Sequence, residues 1–260
     1  MVARSEPRAA LTIGHPGHEL RVHHWMERTK PVVFVLTDGS GGRDTSRIES
    51  TTALLSATGS RPGSIYGRWS DRAVYEAILS GNTGLFAGIV RELSQALKAE
   101  DVEYVVCDAN EGYNPTHDLC YYLVVTAVRL CTREQGRQIQ PYTFALIGPP
   151  DSCPEPLRAA SICIRLDAPA IQRKLSSAGS YEELREEVRR ALAKYGTAPF
   201  QTEWMLPVRS LDLPASRLES TPYYETYGEK QVAAGVYDQV IRYEKHFRPL
   251  LASLWHELGD

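Results

Sequence analysis

Three histidines in this 260-residue chain stand where they could share one piece of chemistry. His15 and His18 lie in and just after a turn, Gly14-His15-Pro16-Gly17, that closes the short apolar run Ala10 to Ile13. His117 opens a helical pattern after another such run, Val102 to Cys107. A lone histidine in a turn is usually a cap or a surface residue. Here the two strand ends match, and in an open parallel sheet ligands bind outside the carboxyl ends of strands. Neutral imidazole is the commonest metal ligand, and three of them leave a tetrahedral position open for water. Such a ligand set adds no negative charge, so zinc held by it would acidify its water to a pKa of about 7. Fe(II) is the alternative occupant and would suit oxidative or lyase chemistry. His23 and His24 do not share the helical face of His18, and His246 and His256 fall in a carboxyl-terminal helical pattern where packing is the default.

The elements around these residues alternate. Val32 to Thr37 is a continuous apolar run bounded by turn residues, as expected of a strand buried on both faces. The spacing predicts further strands at Pro62–Tyr66, Val102–Cys107, Tyr142–Ile147, Ser161–Leu166 and Thr202–Val208. Helices are predicted at Glu19–Arg28, from Thr45 to Ala57, after a cap at Ser70, and at Thr83–Ala99 and Thr116–Arg133. Further helices are expected at Ala170–Ser177, at Tyr181–Lys194 and over a long stretch from Glu229 to Leu258, broken before Pro249. Alternation of this kind implies an α/β, Rossmann-like, doubly wound and mostly parallel sheet with helices on both faces. The loop Asp38 to Asp44 is glycine-rich but has neither G-x-G-x-x-G nor a Walker lysine, so a nucleotide site there is not expected. Leu211 to Pro222 reads as a polar loop.

Composition narrows the partners. Apolar residues make up 43% and charged residues 23%, with a net charge of −3, so a globular chain without a nucleic-acid partner is expected. The first ten residues lack the apolar core of a secretory signal, and no run is long enough for a membrane helix. Five irregularly spaced cysteines without a CxxC fit reduced thiols in a cytoplasmic protein.

At the level of motifs, Leu11-Thr12-Ile13-Gly14-His15-Pro16-Gly17-His18-Glu19 resembles the A-H-P-D-D-E signature of the LmbE-like, PIG-L type deacetylases. Val35-Leu36-Thr37-Asp38-Gly39 resembles the T-D-G element of that family, and Arg47 with Glu49 loosely resembles its R-R-x-E helix. Asn114-Pro115-Thr116-His117 is similar to its H-P-D-H, and Tyr142 to Pro149 to its Y-x-x-x-x-P strand. Asp167 to Lys174 resembles the segment that carries a lysine on the helix after the last core strand. The resemblance spans Leu11 to Ser180 and implies residues 1–260 as a single domain of that kind, with 181–260 a mainly helical extension packed on it. It also implies zinc ligands at His15 and His117, with His18 in place of an aspartate ligand. The family's general base falls on Gly17, which can do no chemistry, and its other histidine on Asn114.

A replacement base is therefore sought among neighbours. Glu19 and Asp118 adjoin proposed ligands, Asp38 follows the adjacent strand, and Asp108 and Glu111 precede His117. Each could move a proton or orient a histidine. Asn114 could donate to a developing oxyanion. The structural alternatives are a loop cap for Asp38, a first-turn carboxylate for Glu19, an Asx-turn for Asn114 and simple packing for Cys120. The expected function is metal-dependent hydrolysis of a C–N amide on an N-acyl sugar or related small molecule. A three-histidine enzyme of different chemistry is one alternative. A degenerate binding protein is another, and on that reading Gly17→Asp would restore hydrolysis. Tyr223, Tyr224, Tyr227, Tyr237 and Tyr243 suggest core or subunit packing, which leaves a homo-oligomer open, or else a substrate wall.

Overall fold

A computed structural model describes residues 7–41, 45–211 and 220–258. Parts of two expected loops, at Gly42 to Asp44 and at residues 212–219, lie outside these. The strands are β1 (Ala9–Ile13), β2 (Val32–Thr37), β3 (Arg61–Trp69), β4 (Tyr104–Asp108), β5 (Gln140–Phe144), β6 (Ile162–Arg165) and β7 (Thr202–Pro207). The helices are α1 (His23–Thr29), α2 (Ile48–Thr58), α3 (Asp71–Leu79), α4 (Thr83–Ala99), α5 (Pro115–Gln135), α6 (Ala168–Ser180), α7 (Arg185–Tyr195), α8 (Tyr223–Ala233) and α9 (Arg248–Glu257).

The seven strands form one sheet in the order β3-β2-β1-β4-β5-β7-β6. Six point the same way, β1 to β5 paired in parallel, and β7 alone runs against them, antiparallel to both β5 and β6. The stretch after residue 180 thus contributes a strand to the sheet as well as helices. Strand order reverses between β1 and β4, which pair through Leu11↔Val106 and Thr12↔Cys107. That reversal is the topological switch point, where the outward-splayed connections leave a crevice at the carboxyl edge.

Both faces of the sheet are covered. Val32, Phe34 and Leu36 of β2 pack with Val74, Phe86, Leu93 and Leu123 from α3, α4 and α5. Val33 and Val35 pack with Trp25, Met26, Leu54 and Ala170 on the opposite side. This two-sided burial is why β2 reads as an unbroken apolar run. No helix among the described residues is long and apolar enough to cross a membrane.

Three elements differ from the sequence reading. The helix expected at Glu19–Arg28 begins as a 3-10 turn, His18–Val22, before α1. Strand β3 spans nine residues rather than the expected Pro62–Tyr66, with register shifts against Val33, Val35 and Thr37. Gly67 takes φ +61 there, a left-handed conformation that lets an edge strand bulge and continue. The stretch Glu229–Leu258 is not one helix. α8 stops at Ala233, Gly235 turns the chain at φ +70, and a π-helical turn at Tyr243–Phe247 leads into α9. The break comes well before Pro249, which sits harmlessly in the first turn of α9.

Gly63 in β3 has the Phe34 ring 2.3 Å from where a Cβ would stand. Gly63→Ala should therefore cost about 1–3 kcal/mol by overpacking. Urea denaturation would measure it, and an unchanged midpoint would mean the Phe34 ring moves aside freely.

Candidate active site

His15 leaves β1 one residue beyond Gly14. That glycine approaches a neighbouring connection closely: a Cβ on it would meet an Asp108 carboxylate oxygen at 3.0 Å and the Thr116 carbonyl oxygen at 3.2 Å. Its N–H donates to Asp108 Oδ2 at 2.8 Å. Gly17, at φ +104, then turns the chain so that His18 comes back over the same carboxylate, Nδ1 to Oδ2 at 2.9 Å. His117 arrives from the first turn of α5, whose start is set by Pro115 and by Asn114 Oδ1 accepting from the Thr116 N–H at 2.8 Å.

The three rings meet. Centroids lie 5.3 Å apart for His15 and His18, 5.1 Å for His15 and His117, and 4.5 Å for His18 and His117, all close to edge-on. Residues separated by about a hundred positions thus share one crevice at the switch point. His15 Nδ1 lies 2.8 Å from Thr37 Oγ1, whose own hydroxyl donates to the Gly14 carbonyl. Since that hydroxyl proton is used, Nδ1 carries the imidazole proton and Nε2 is left as a lone pair. Asp71 Oδ1 lies 2.7 Å from the same Nδ1, off the line already taken by Thr37, and acts mainly as nearby charge.

Within the trio, the buried nitrogens His15 Nε2 and His117 Nδ1 have no hydrogen-bond partner; outside it, His23 Nδ1 is in the same position. Unpaired polar atoms of this kind are costly unless something binds them. Burial, and then the positive field of neighbouring histidines, pushes His18 and His117 well below the usual imidazole range. Both are therefore neutral lone-pair donors near pH 7. Burial raises Asp108 to about 7 despite the Gly14 N–H and His15. Burial would also raise Asp71, but the adjacent His15 and Thr37 side chains and the Gly41 N–H that donates to it hold it well below the usual carboxylate range. The contacts are between rings: among the described residues no group of three or more His, Cys, Asp or Glu side chains has its donor atoms placed to hold a metal ion.

The other expected site residues lie around this cluster with their polar atoms engaged. Glu19 accepts from the Gly17 N–H at 2.6 Å and from Thr51 at 2.7 Å, and burial raises it to about 7. Asp118 accepts from the Glu111 and Gly112 N–H groups at 3.0 and 3.1 Å and is likewise raised by burial to about 7. Asp38 Oδ1 accepts from the Ser40 N–H at 2.9 Å, the expected loop cap. Asn114 caps α5, its Oδ1 accepting from the Thr116 N–H. Cys120 lies against the β1 backbone, Sγ to the Thr12 carbonyl oxygen at 3.6 Å, and burial raises its thiol far from reactivity. Lys174 is buried on Glu203 and the Arg21 carbonyl oxygen rather than on the histidines. His23 bonds Ser177 and His24 bonds Glu27, both apart from the trio.

The sequence reading missed Asp71. Its signal was positional: it is the first residue of α3, two residues beyond the end of β3, at the same sheet edge as His15. Asp108 was among the carboxylates considered, and here it proves to be the one bound to His18.

An open α/β sheet with three histidines meeting at its switch point defines the class of fold. The fold is similar to that of A40926 pseudoaglycone deacetylase, with a TM-score of 0.50 and 17% identity over 81% of this chain and 100% of that one. It is similar to a deacetylase of the teicoplanin biosynthesis pathway, with a TM-score of 0.52 and 12% identity over 79% of this chain and 100% of that one. It is also similar to N,N'-diacetylchitobiose deacetylase from Pyrococcus horikoshii, with a TM-score of 0.53 and 11% identity over 82% of this chain and 88% of that one. This chain thus shares the fold of these deacetylases at 11–17% sequence identity. No family model and no curated protein matches the sequence.

Proposed function

We propose that the protein is a metal-dependent deacetylase that hydrolyses an N-acyl group on a sugar-like small molecule. The observation that carries this is the meeting of three imidazoles, two of them buried with an unpartnered nitrogen, at the switch point of a fold shared with deacetylases. His15, His18 and His117 would hold the metal, zinc in the first instance and Fe(II) as the alternative. The donor set suits either: neutral imidazoles, two of them steadied through their other nitrogen by protein groups. When bound, the metal supplies polarisation of the acyl carbonyl and an acidified water. A structural neighbour, teicoplanin deacetylase, has been solved in a zinc-inhibited form, which makes the identity of the metal worth measuring.

The chain's own residues then divide the remaining work. Thr37 and Asp71 fix the tautomer of His15, and Asp108 fixes His18. The carboxylates that touch the trio are these two, so positioning falls to them ahead of Glu19, Asp118 and Asp38, which hold backbone N–H groups or a neighbouring hydroxyl. Asn114 spends its oxygen on capping α5, and its amide N–H groups are the part of it that can face an oxyanion. The substrate is a small molecule, and the protein is proposed to work in the cytoplasm without nucleic acid or membrane, alone or as a homo-oligomer.

Elemental analysis of protein purified without a histidine tag tests the reading, alongside the triple alanine variant at His15, His18 and His117. About one zinc per chain, lost in the variant together with acetate release from N-acetyl sugars, is the expected result. Hydrolysis undiminished in the triple variant would overturn the assignment. One iron per chain would redirect the work to anaerobic assays.

A further inference from the structure

Beside the histidines lies a feature the proposed chemistry does not use. Tyr113 and Tyr223 stack with centroids 4.9 Å apart and planes 4° from parallel, and Tyr227 continues the stack at 6.0 Å from Tyr223. Tyr223 and Tyr227 stand four residues apart at the start of α8, so they share one helical face. The three keep 42%, 47% and 41% of their surface exposed, and they account for three of the five exposed large apolar side chains among the described residues. Core packing therefore does not explain them.

The stack is tied to the site through the loop that carries Tyr113. Tyr113 precedes His117 by four residues, which bounds their separation at about 14 Å even for extended chain. The Tyr224 N–H donates to the Gly112 carbonyl oxygen, fastening α8 to the loop that carries Tyr113. Tyr75, one helical turn beyond Asp71 in α3, meets the Tyr237 ring at 6.2 Å. Asp71 itself touches His15. Tyr113 immediately precedes the Asn114 cap of the helix that carries His117, which sets one end of the stack beside the histidine crevice.

We propose that Tyr113, Tyr223 and Tyr227 form a platform for a second pyranose ring, linked to the N-acyl sugar at the histidines. The proposal rests on the deacetylase reading above and adds that the substrate is at least a disaccharide. A phenol presents a flat apolar face with a hydroxyl at its edge. A pyranose presents the matching surface, an apolar face of C–H groups with hydroxyls radiating around it. A macromolecular partner fits less well, because three side chains fall far short of the roughly 800 Å² that each partner buries in a stable protein interface.

Calorimetric titration with two probes tests this: the methyl β-glycosides of N-acetylglucosamine and of N,N'-diacetylchitobiose. The wild-type protein should bind the disaccharide roughly tenfold more tightly than the monosaccharide. Tyr223→Ala and Tyr113→Ala should remove most of that advantage and leave monosaccharide affinity unchanged, while Tyr223→Phe should keep it. Equal affinities in the wild type, an advantage that survives Tyr223→Ala, or no binding of either glycoside would overturn the platform. Acetate release is scored separately on the same compounds. Disaccharide-selective binding without any release would uphold the platform and remove the deacetylase reading. Equal release from both with no binding advantage would do the reverse.

Discussion

Lys174→Met should lower stability by about 3–5 kcal/mol, the usual cost of leaving one partner of a buried ion pair alone. The Lys174 ammonium in α6 donates to Glu203 Oε1 at 2.7 Å and to the Arg21 carbonyl oxygen at 2.8 Å, and both charged side chains are almost wholly shielded from water. Glu203 does more than balance that charge. Its two oxygens accept the His24 and Trp25 N–H groups at 2.9 and 2.7 Å. Those N–H groups open α1, which has no side-chain cap of its own from Val22. A strand residue near position 200 thus caps the helix that follows the histidine turn, and Lys174 keeps the capping carboxylate neutralised. Removing the ammonium leaves a buried anion held by two backbone donors, which offset only part of its desolvation. Lys174→Met/Glu203→Gln should recover part of the loss, since the amide oxygen still accepts an N–H and no charge is stranded. Guanidinium denaturation of the two variants checks both statements. A Lys174→Met midpoint within about 1 kcal/mol of wild type would show that the pair is not what holds α1 to β7.

Much of the site could be read from the chain because strand ends are easy to find and histidines are few. The apolar runs located β1 and β4, and the rule that parallel sheets bind ligands at their carboxyl edge then brought His15, His18 and His117 together. Their ring contacts show that step to be sound. What could not be read was which carboxylate each imidazole meets. Asp71 reaches His15 only because β3 bulges twice against β2 and carries α3 to the crevice, and no local pattern encodes that register. Glu19, Asp118, Asp38 and Asn114 stood next to the right residues in sequence, yet short polar side chains beside a turn bond their own backbone first. The carboxyl-terminal break was expected before Pro249 and comes earlier for a related reason: Glu229 to Leu258 keeps a helical apolar rhythm through Gly235. Only in the folded chain is it clear that the π-helical turn at Tyr243–Phe247, its backbone held by His246 Nδ1 accepting from the Arg242 N–H, starts a separate helix.

Gly17 is where sequence and structure bear on each other most directly. By family resemblance an aspartate would stand there as the general base, which makes Gly17→Asp the obvious attempt to raise hydrolysis. The fold argues that the substitution should fail. At φ +104 and ψ −19 the backbone occupies a conformation that costs an L-residue about 1–2 kcal/mol. A Cβ would also stand 2.2 Å from Leu184 Cδ1, with the Tyr181 ring at 3.7 Å behind it. Overpacking of that kind adds about 1–3 kcal/mol. The space a base would need is filled from the segment between α6 and α7, and Tyr181 there is fixed by hydrogen bonds to Thr51 and to the Arg47 carbonyl oxygen. Gly17→Asp should therefore destabilise the protein by about 2–5 kcal/mol in total, without increasing acetate release. Leu184→Ala in the same chain should relieve the steric part and leave the backbone part. The cycle of Gly17→Asp, Leu184→Ala and the double variant, followed by thermal denaturation, would then show a favourable coupling of about 1–3 kcal/mol. If Gly17→Asp melted with the wild type and released acetate faster, the turn would be more pliable than its packing indicates, and the missing carboxylate would be the sole defect of this site.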